Sequence, residues 1–300
     1  MKNLIEQAAQ RLQQLRQAGV KVPEMAGATP PANGPSPVET GHPTRTDPDD
    51  VGALSRRVEL DLATIAAEGI VTPDLPRSFL ADQYRVIKRP LIMNAKGRGA
   101  SVLNHGNLIM VTSAVAGEGK TFTAINLAMS IAAEVDNTVM LVDADVARPS
   151  ILRMLHLPQG PGLLDLLEGK CGMADALMRT SVDSLSILPS GTPDGRATEL
   201  LASGAMRELL DDMARRYADR IIIFDSPPLL LTTESRVLAT QMGQIVMVVE
   251  AERTLQSAVQ QALATIESCP VRLLLLNRAR GDSSGGYGYG YGYGAETQAA

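Results

Sequence analysis

The chain has no tryptophan and only 3% aromatic residues, so a core must be built from aliphatic side chains and methionine. The apolar fraction of 45% is ample for such a core. Basic charge is also in short supply. A net charge of −5 argues against general nucleic-acid binding, which needs a basic face. The two cysteines, Cys171 and Cys269, lack CxxC or metal-ligand spacing, which fits reduced thiols rather than a disulfide framework or a zinc site. The three histidines, His42, His105 and His156, share no metal-ligand spacing either, so surface or packing roles suit them better. No apolar run reaches the roughly 18–20 residues that span a bilayer, and Met1-Lys-Asn-Leu-Ile-Glu-Gln lacks a signal-peptide core. The expectation is a cytoplasmic chain that reaches a membrane only through a partner.

What is present is unevenly spread. Residues 1–18 place Leu4, Ile5, Ala8, Leu12 and Leu15 at helical spacing on one face, predicting an amphipathic helix in segment 1–20. It serves either as a docking helix or as a solubilised cap. Residues 21–50 are rich in Pro, Gly, Thr and Asp without apolar period, and read as a disordered linker. Residues 51–75 hint at a weak strand or a helix start. Ser78–Met93 reads as a helix that Pro90 should kink or end. Within it Asp82, Arg85 and Lys88 sit three apart, consistent with local charge pairing on a solvated face.

From there strand and helix alternate. Short continuous apolar runs predict buried strands at Leu108–Thr112, Thr138–Val142, Leu185–Leu188, Arg220–Phe224, Gln244–Val249 and Val271–Leu276. Helices are predicted at Lys120–Ala133, Gly162–Glu168, Ala197–Tyr217, Glu234–Gln241 and Leu255–Ser268. Repeated βα units imply a doubly wound, mostly parallel α/β sheet over residues 51–280. Ligands in such sheets bind at the carboxyl ends of the strands.

Three motifs fall at those ends. Ser113-Ala-Val-Ala-Gly-Glu-Gly-Lys-Thr121 lies between a strand and an apolar helix, the context of a phosphate-binding loop. Its amides and the helix N-terminus would face phosphate, Lys120 would bridge two phosphates, and Thr121 would bind Mg²⁺. Ala114 stands where such loops usually have their first glycine. Asp143 and Asp145 emerge at the end of the second strand; together they repel unless a cation joins them, the bland alternative being helix N-capping. Asp225, at the end of Ile221-Ile-Ile-Phe-Asp225, matches a Mg²⁺-holding acid, and Pro227 and Pro228 should turn the chain sharply at the sheet edge. Thr121, Asp143, Asp145 and Asp225 thus form the candidate metal set for ATP and Mg²⁺.

Residues 281–300 read as a flexible Gly/Ser/Tyr segment holding four of the six tyrosines, Tyr287, Tyr289, Tyr291 and Tyr293, each separated by one glycine. Alone, such a segment is a sticky low-complexity tail. Beside a nucleotide site it suggests an enzyme that phosphorylates its own tail.

Together the loop, the apolar-run-Asp-x-Asp motif, the Asp-x-x-Pro motif and the tyrosine cluster resemble the bacterial tyrosine kinases, P-loop NTPases of the Min/Par-like type. The resemblance covers about residues 78–294, including Leu188-Pro-Ser-Gly191 and Thr198-Glu-Leu-Leu-Ala202. It implies nucleotide contacts at Ala116, Gly117, Glu118, Gly119, Lys120, Thr121, Phe122 and Asn277. It implies catalytic roles for Lys120, Asp143 and Asp145, with Asp143 activating the tyrosine hydroxyl and Asp145 and Asp225 organising Mg²⁺. Asp82-x-x-Arg85-x-x-Lys88 resembles the family's Glu-x-x-Arg-x-x-Arg oligomerisation motif, which implies a ring in which one tail enters the neighbour's site. The family's arginine pair after the aspartates is Ala147-Arg148 here. The resemblance further implies a membrane adaptor of the polysaccharide co-polymerase type; the short helix, linker and tail look most like kinases of exosortase-linked exopolysaccharide clusters. Two alternatives stay open: a Min/Par-type ATPase, whose signature lysine is replaced by Val115, and a catalytically weak nucleotide-binding subunit.

Overall fold

The computed structural model describes residues 55–73, 78–99 and 102–280. The predicted helix at 1–20, the linker at 21–50 and the tyrosine tail at 281–300 lie outside the described residues.

Strand β1 (Arg56–Val58) opens the chain, followed by α1 (Leu62–Ala67) and α2 (Phe79–Ala95). Then come β2 (Leu108–Ser113), α3 (Lys120–Ala132), β3 (Thr138–Asp143), α4 (Ile151–Met154), α5 (Leu163–Leu167) and α6 (Met173–Ala176). Strands β4 (Met178–Thr180) and β5 (Leu185–Leu188) precede α7 (Ala197–Leu201) and α8 (Gly204–Arg216). The chain continues through β6 (Arg220–Asp225), α9 (Thr233–Ala239), β7 (Gln244–Glu250), α10 (Gln256–Ala264) and β8 (Val271–Asn277). The strands form an eight-stranded sheet in the order β1-β4-β5-β3-β6-β2-β7-β8. Only the β4–β5 pair is antiparallel.

The strand sequences explain the layering. Alternate residues of a strand point to opposite faces. In β2, Ile109 and Val111 face one cluster with α1, α2 and α3, whereas Leu108 and Met110 face the other, under α5 to α10. Likewise Ile221 and Ile223 of β6 point one way, and Ile222 and Phe224 the other. Both faces are covered, which is why these strands are uninterrupted apolar runs. The doubly wound fold follows from that pattern.

Several elements differ from expectation. β1, β4, α4 and α6 have only three or four residues each, too short to show a period. The predicted helix over Ala197–Tyr217 is two helices, because Ser203 caps α8 by accepting the amide of Met206 at 3.2 Å. Pro90 does not end α2, which runs on to Ala95. The carbonyl that loses its helical partner to Pro90 belongs to Val86, an exposed residue, so water can satisfy it.

Lys88 is not on a solvated face. It is 4% exposed, and its ammonium bonds the Ser130 carbonyl and pairs with Glu134 at 2.9 Å. Lys88 therefore fastens α2 to the end of α3, while Asp82 and Arg85 pair with each other at the surface. Removing Lys88 leaves a buried carbonyl unpaired. In urea titrations, Lys88→Ala should cost roughly 1–3 kcal/mol. Arg85→Ala should stay within about 0.5 kcal/mol. Equal small effects would return Lys88 to the solvated face.

Candidate active site

Register builds the site. In the parallel β3–β6 pair Asp143 lies directly beside Asp225, each the last residue of its strand. Strand β2 lies on the other side of β6, and its chain continues into the loop that opens α3. The loop and three carboxylates thus meet at the carboxyl end of the central strands, where the direction of strand addition reverses. Asp225 sits mid-sheet, so Pro227 and Pro228 turn the chain at the strand's end and not at a lateral sheet edge.

Lys120, the first residue of α3, points back into the cluster. Its Nζ lies 2.6 Å from Asp145 Oδ2 and 3.7 Å from Asp225 Oδ1. Thr121 donates its hydroxyl to Asp225 Oδ2 at 2.6 Å. Asp143 Oδ2 accepts the amides of Ser150 and Ile151, each at 3.0 Å. These bonds aim the remaining oxygens: Asp143 Oδ1 and Asp225 Oδ1 are buried without a hydrogen-bond partner. Asp145 Oδ1 accepts the Arg148 amide at 3.2 Å, while the Arg148 side chain is exposed at the site's mouth.

Such crowding moves proton affinities. Burial, then the neighbouring Asp225, push the Asp143 carboxyl up to about 7. Burial pushes Asp225 up to about 6, against the pull of Lys120 and Thr121. For Lys120, burial works to discharge the ammonium, but Asp225, Asp145 and Asp143 outweigh it and raise its pKa. The set is a lysine outnumbered by three carboxylates, two of which offer an oxygen that accepts no hydrogen bond. That donor set suits Mg²⁺ arriving with polyphosphate, since Mg²⁺ takes few protein carboxylates and keeps water and phosphate oxygens. Among the described residues no group of three His, Cys, Asp or Glu is poised as a ready-made metal cage.

The loop itself is braced from behind. Gly117 and Gly119 have φ near 90°, the left-handed region that favours glycine. A Cβ on Gly119 would also lie 2.2 Å from Asn277 Nδ2. Ala116 and Gly117 are exposed at the tip. Glu118 turns inward, only 1% exposed. Its carboxylate accepts the Val115 amide at 2.8 Å, the Glu250 amide at 3.3 Å and the Thr254 hydroxyl. Asn277 donates to the Glu118 carbonyl at 2.8 Å. The side chains of Glu118 and Asn277 therefore hold the loop against the ends of β7 and β8. Phe122 packs on the apolar layer near Gly69. Ala114 is fully buried with an ordinary φ, so nothing there requires glycine. Of the partners of the Glu118 carboxylate, Glu250 and Thr254 are over 130 residues away in sequence, which hid the brace from the motif.

Asp82 and Arg85 lie on α2, and Tyr287–Tyr293 fall outside the described residues. His105 faces Asp211 at 3.3 Å and His156 faces Glu68 at 2.9 Å, and both cysteines are free. No helix among the described residues is long and apolar enough to cross a membrane.

Comparison with known proteins joins this geometry to a family. The AAA domain family AAA_31 matches residues 106–274. The chain is 31% identical over 199 residues to tyrosine-protein kinase YwqD of Bacillus subtilis (strain 168), covering 66% of this chain and 80% of that protein. It is 25% identical over 216 residues to the putative tyrosine-protein kinase CapB of Staphylococcus aureus, covering 71% and 91%. The crystal structure of the VpsO kinase domain superposes with a TM-score of 0.54 at 28% identity, covering 68% of this chain and all of that one.

The raised carboxyls give a pH-dependent stability. Asp143 and Asp225 keep protons to higher pH folded than unfolded, so between about pH 4 and 7 the native state binds more protons. Their contribution therefore falls as pH rises through that window. In metal- and nucleotide-free protein at pH 8, Asp143→Asn should raise the melting temperature by at least ~3 °C, because 1 kcal/mol is worth about 2–4 °C in a domain of this size. At pH 5 the gain should largely vanish. A gain independent of pH would show that repulsion is not its source.

Proposed function

The chain belongs to the bacterial tyrosine kinases, and from that premise we propose that it is an ATP- and Mg²⁺-dependent autokinase whose substrate is its own cluster of Tyr287, Tyr289, Tyr291 and Tyr293. The observation that carries the site assignment is the meeting of Lys120 with Asp143, Asp145 and Asp225, two of whose carboxylate oxygens are buried without a hydrogen bond.

Each residue has a role that its geometry allows. The loop amides from Ala116 to Thr121 and the start of α3 hold the phosphates. Lys120 leaves its carboxylates to neutralise charge growing on the transferred group. Thr121, Asp145 and Asp225 would hold Mg²⁺, which when bound neutralises phosphate charge and aligns the nucleotide. Asp143 stands beside them with one oxygen that accepts no hydrogen bond, placed to take a proton from an incoming hydroxyl. The tyrosine oxygen attacks the γ-phosphorus, the bond to the bridging oxygen of the departing ADP breaks, and the phenolic proton passes to Asp143. Free tyrosine has a pKa near 10, so this help matters.

The glycines between the tyrosines keep the tail extendable, so each tyrosine can dock in turn. The neighbour in a ring would supply the receiving site, with Asp82 and Arg85 exposed on α2 for such contacts; Lys88 is already engaged inside the subunit. Each phosphate adds about −1.5 to −2 charges, so four add roughly −6 to −8 and repel the tails from the sites. The broader role we assign is control of exopolysaccharide synthesis or export, through a membrane adaptor of the polysaccharide co-polymerase type that recruits a cytoplasmic kinase to the inner face of the membrane.

Peptide mass spectrometry after incubation with Mg-ATP tests this reading. The wild type should carry phosphate on Tyr287–Tyr293, and Lys120→Ala should carry none. Asp143→Asn should lose about 100-fold or more in rate with nucleotide affinity nearly kept, the size usual for a proton acceptor. ATP binding without phosphate on the wild type, even with an adaptor segment added, would mark a nucleotide-binding regulatory subunit. A separate size measurement checks ring disassembly: full phosphorylation should reduce the assembly, and an unchanged size would refute it.

A further inference from the structure

Away from the phosphate loop, an open groove of about 770 Å³ runs between α2 and β8. Phe79 at 80% and Val86 at 72% are exposed on its α2 wall, and the half-buried Leu273 and Leu275 of β8 face the same layer. β8 is the last strand of the sheet, and among the described residues its outer edge pairs with nothing. Its sequence, Val-Arg-Leu-Leu-Leu-Leu-Asn, carries one charge in seven residues. A long apolar edge with so little charge invites an added strand and is normally covered or blunted.

The chain itself supplies a cover. It leaves β8 at Asn277 along the groove, whose lining includes Arg278 and Ala279. Nine residues, Arg278–Gly286, separate that strand from Tyr287, and three of them are glycine. This is enough to reverse direction. The tail then repeats tyrosine at every second position. In an extended strand all four rings project from one face and the glycines from the other. An antiparallel strand beside β8 would turn one continuous aromatic stripe towards the apolar wall of α2 and β8, while the rings supply large contact area at modest entropic cost.

We propose that the unphosphorylated tail docks on its own subunit as an added strand on β8, with Tyr287–Tyr293 seated in the groove between β8 and α2. Attachment to the same chain raises the local concentration and offsets the poor strand propensity of glycine. Docking holds the tyrosines away from any active site. A phosphate on one of them cannot enter this apolar wall, so modified tails are released. That release step rests on the autokinase reading; the docking does not.

Hydrogen exchange on phosphatase-treated, nucleotide-free protein tests the docking. The comparison is between wild type and a full-length variant with all four of these tyrosines changed to serine. Backbone amides in Val271–Asn277 and the first half of α2 should exchange about 10-fold faster in the variant, equally at low and high protein concentration. Val86→Asp, with the tail intact, should reproduce the increase in β8. Tyrosine-phosphorylated wild type should match the serine variant. Equal exchange in wild type and serine variant would overturn the proposal. Protection that grows with concentration would assign the groove to a neighbouring subunit, and protection only on adding an adaptor segment would assign it to that partner; either overturns docking on the same subunit. No nucleotide is present, so a failure of phosphorylation cannot mimic these results.

Discussion

Lys120 is held by two carboxylates, Asp145 at 2.6 Å and Asp225 at 3.7 Å, at the buried end of a parallel sheet. Around that contact the remaining charges fall into place. Three aspartates in such confinement are tolerable only because a cation stands among them. Burial first, and then carboxylate repulsion that one lysine does not cancel, make Asp143 and Asp225 hold their protons far above the ordinary carboxyl range. The ligand-free site is therefore under electrostatic tension, relieved by protons or by metal with a polyphosphate.

The fold exists to keep that tension in one place. In-register pairing of β3 with β6 puts Asp143 against Asp225, and apolar layers on both faces keep water from diluting the charges. The loop bearing Lys120 is not merely glycine-rich. It is fixed by Glu118, whose carboxylate gathers donors from the loop and from the end of β7, and by Asn277 at the end of β8. A braced loop results, and it is tied to the strand from which the tyrosine tail departs.

Much of this was legible in the sequence, for reasons visible in particular residues. The central strands stand out because burial on both faces demands uninterrupted apolar runs; Leu185–Leu188 matches its predicted limits and β2, β3, β6, β7 and β8 each extend one residue further. Lys120, Thr121, Asp143, Asp145 and Asp225 were legible because each sits at a strand end or helix start, where local sequence fixes position. What depended on distant partners was not. The burial of Lys88 needs Ser130 and Glu134 of another helix, and the inward turn of Glu118 needs residues at 250 and 254. The break before α8 did carry a signal in Ser203-Gly204, which the helical period of the surrounding residues masked.

If the carboxylates receive a metal-bound polyphosphate, binding must expel the protons they hold. Calorimetry of Mg-nucleotide binding at pH 6.5, in two buffers of different ionisation enthalpy, tests it most directly. Net proton release of roughly one per site is expected, because metal binding requires deprotonated ligands and neighbouring positive charge lowers the carboxyl pKa values. Asp143→Asn should reduce that release. Binding heats that do not depend on the buffer, or net proton uptake, would contradict it.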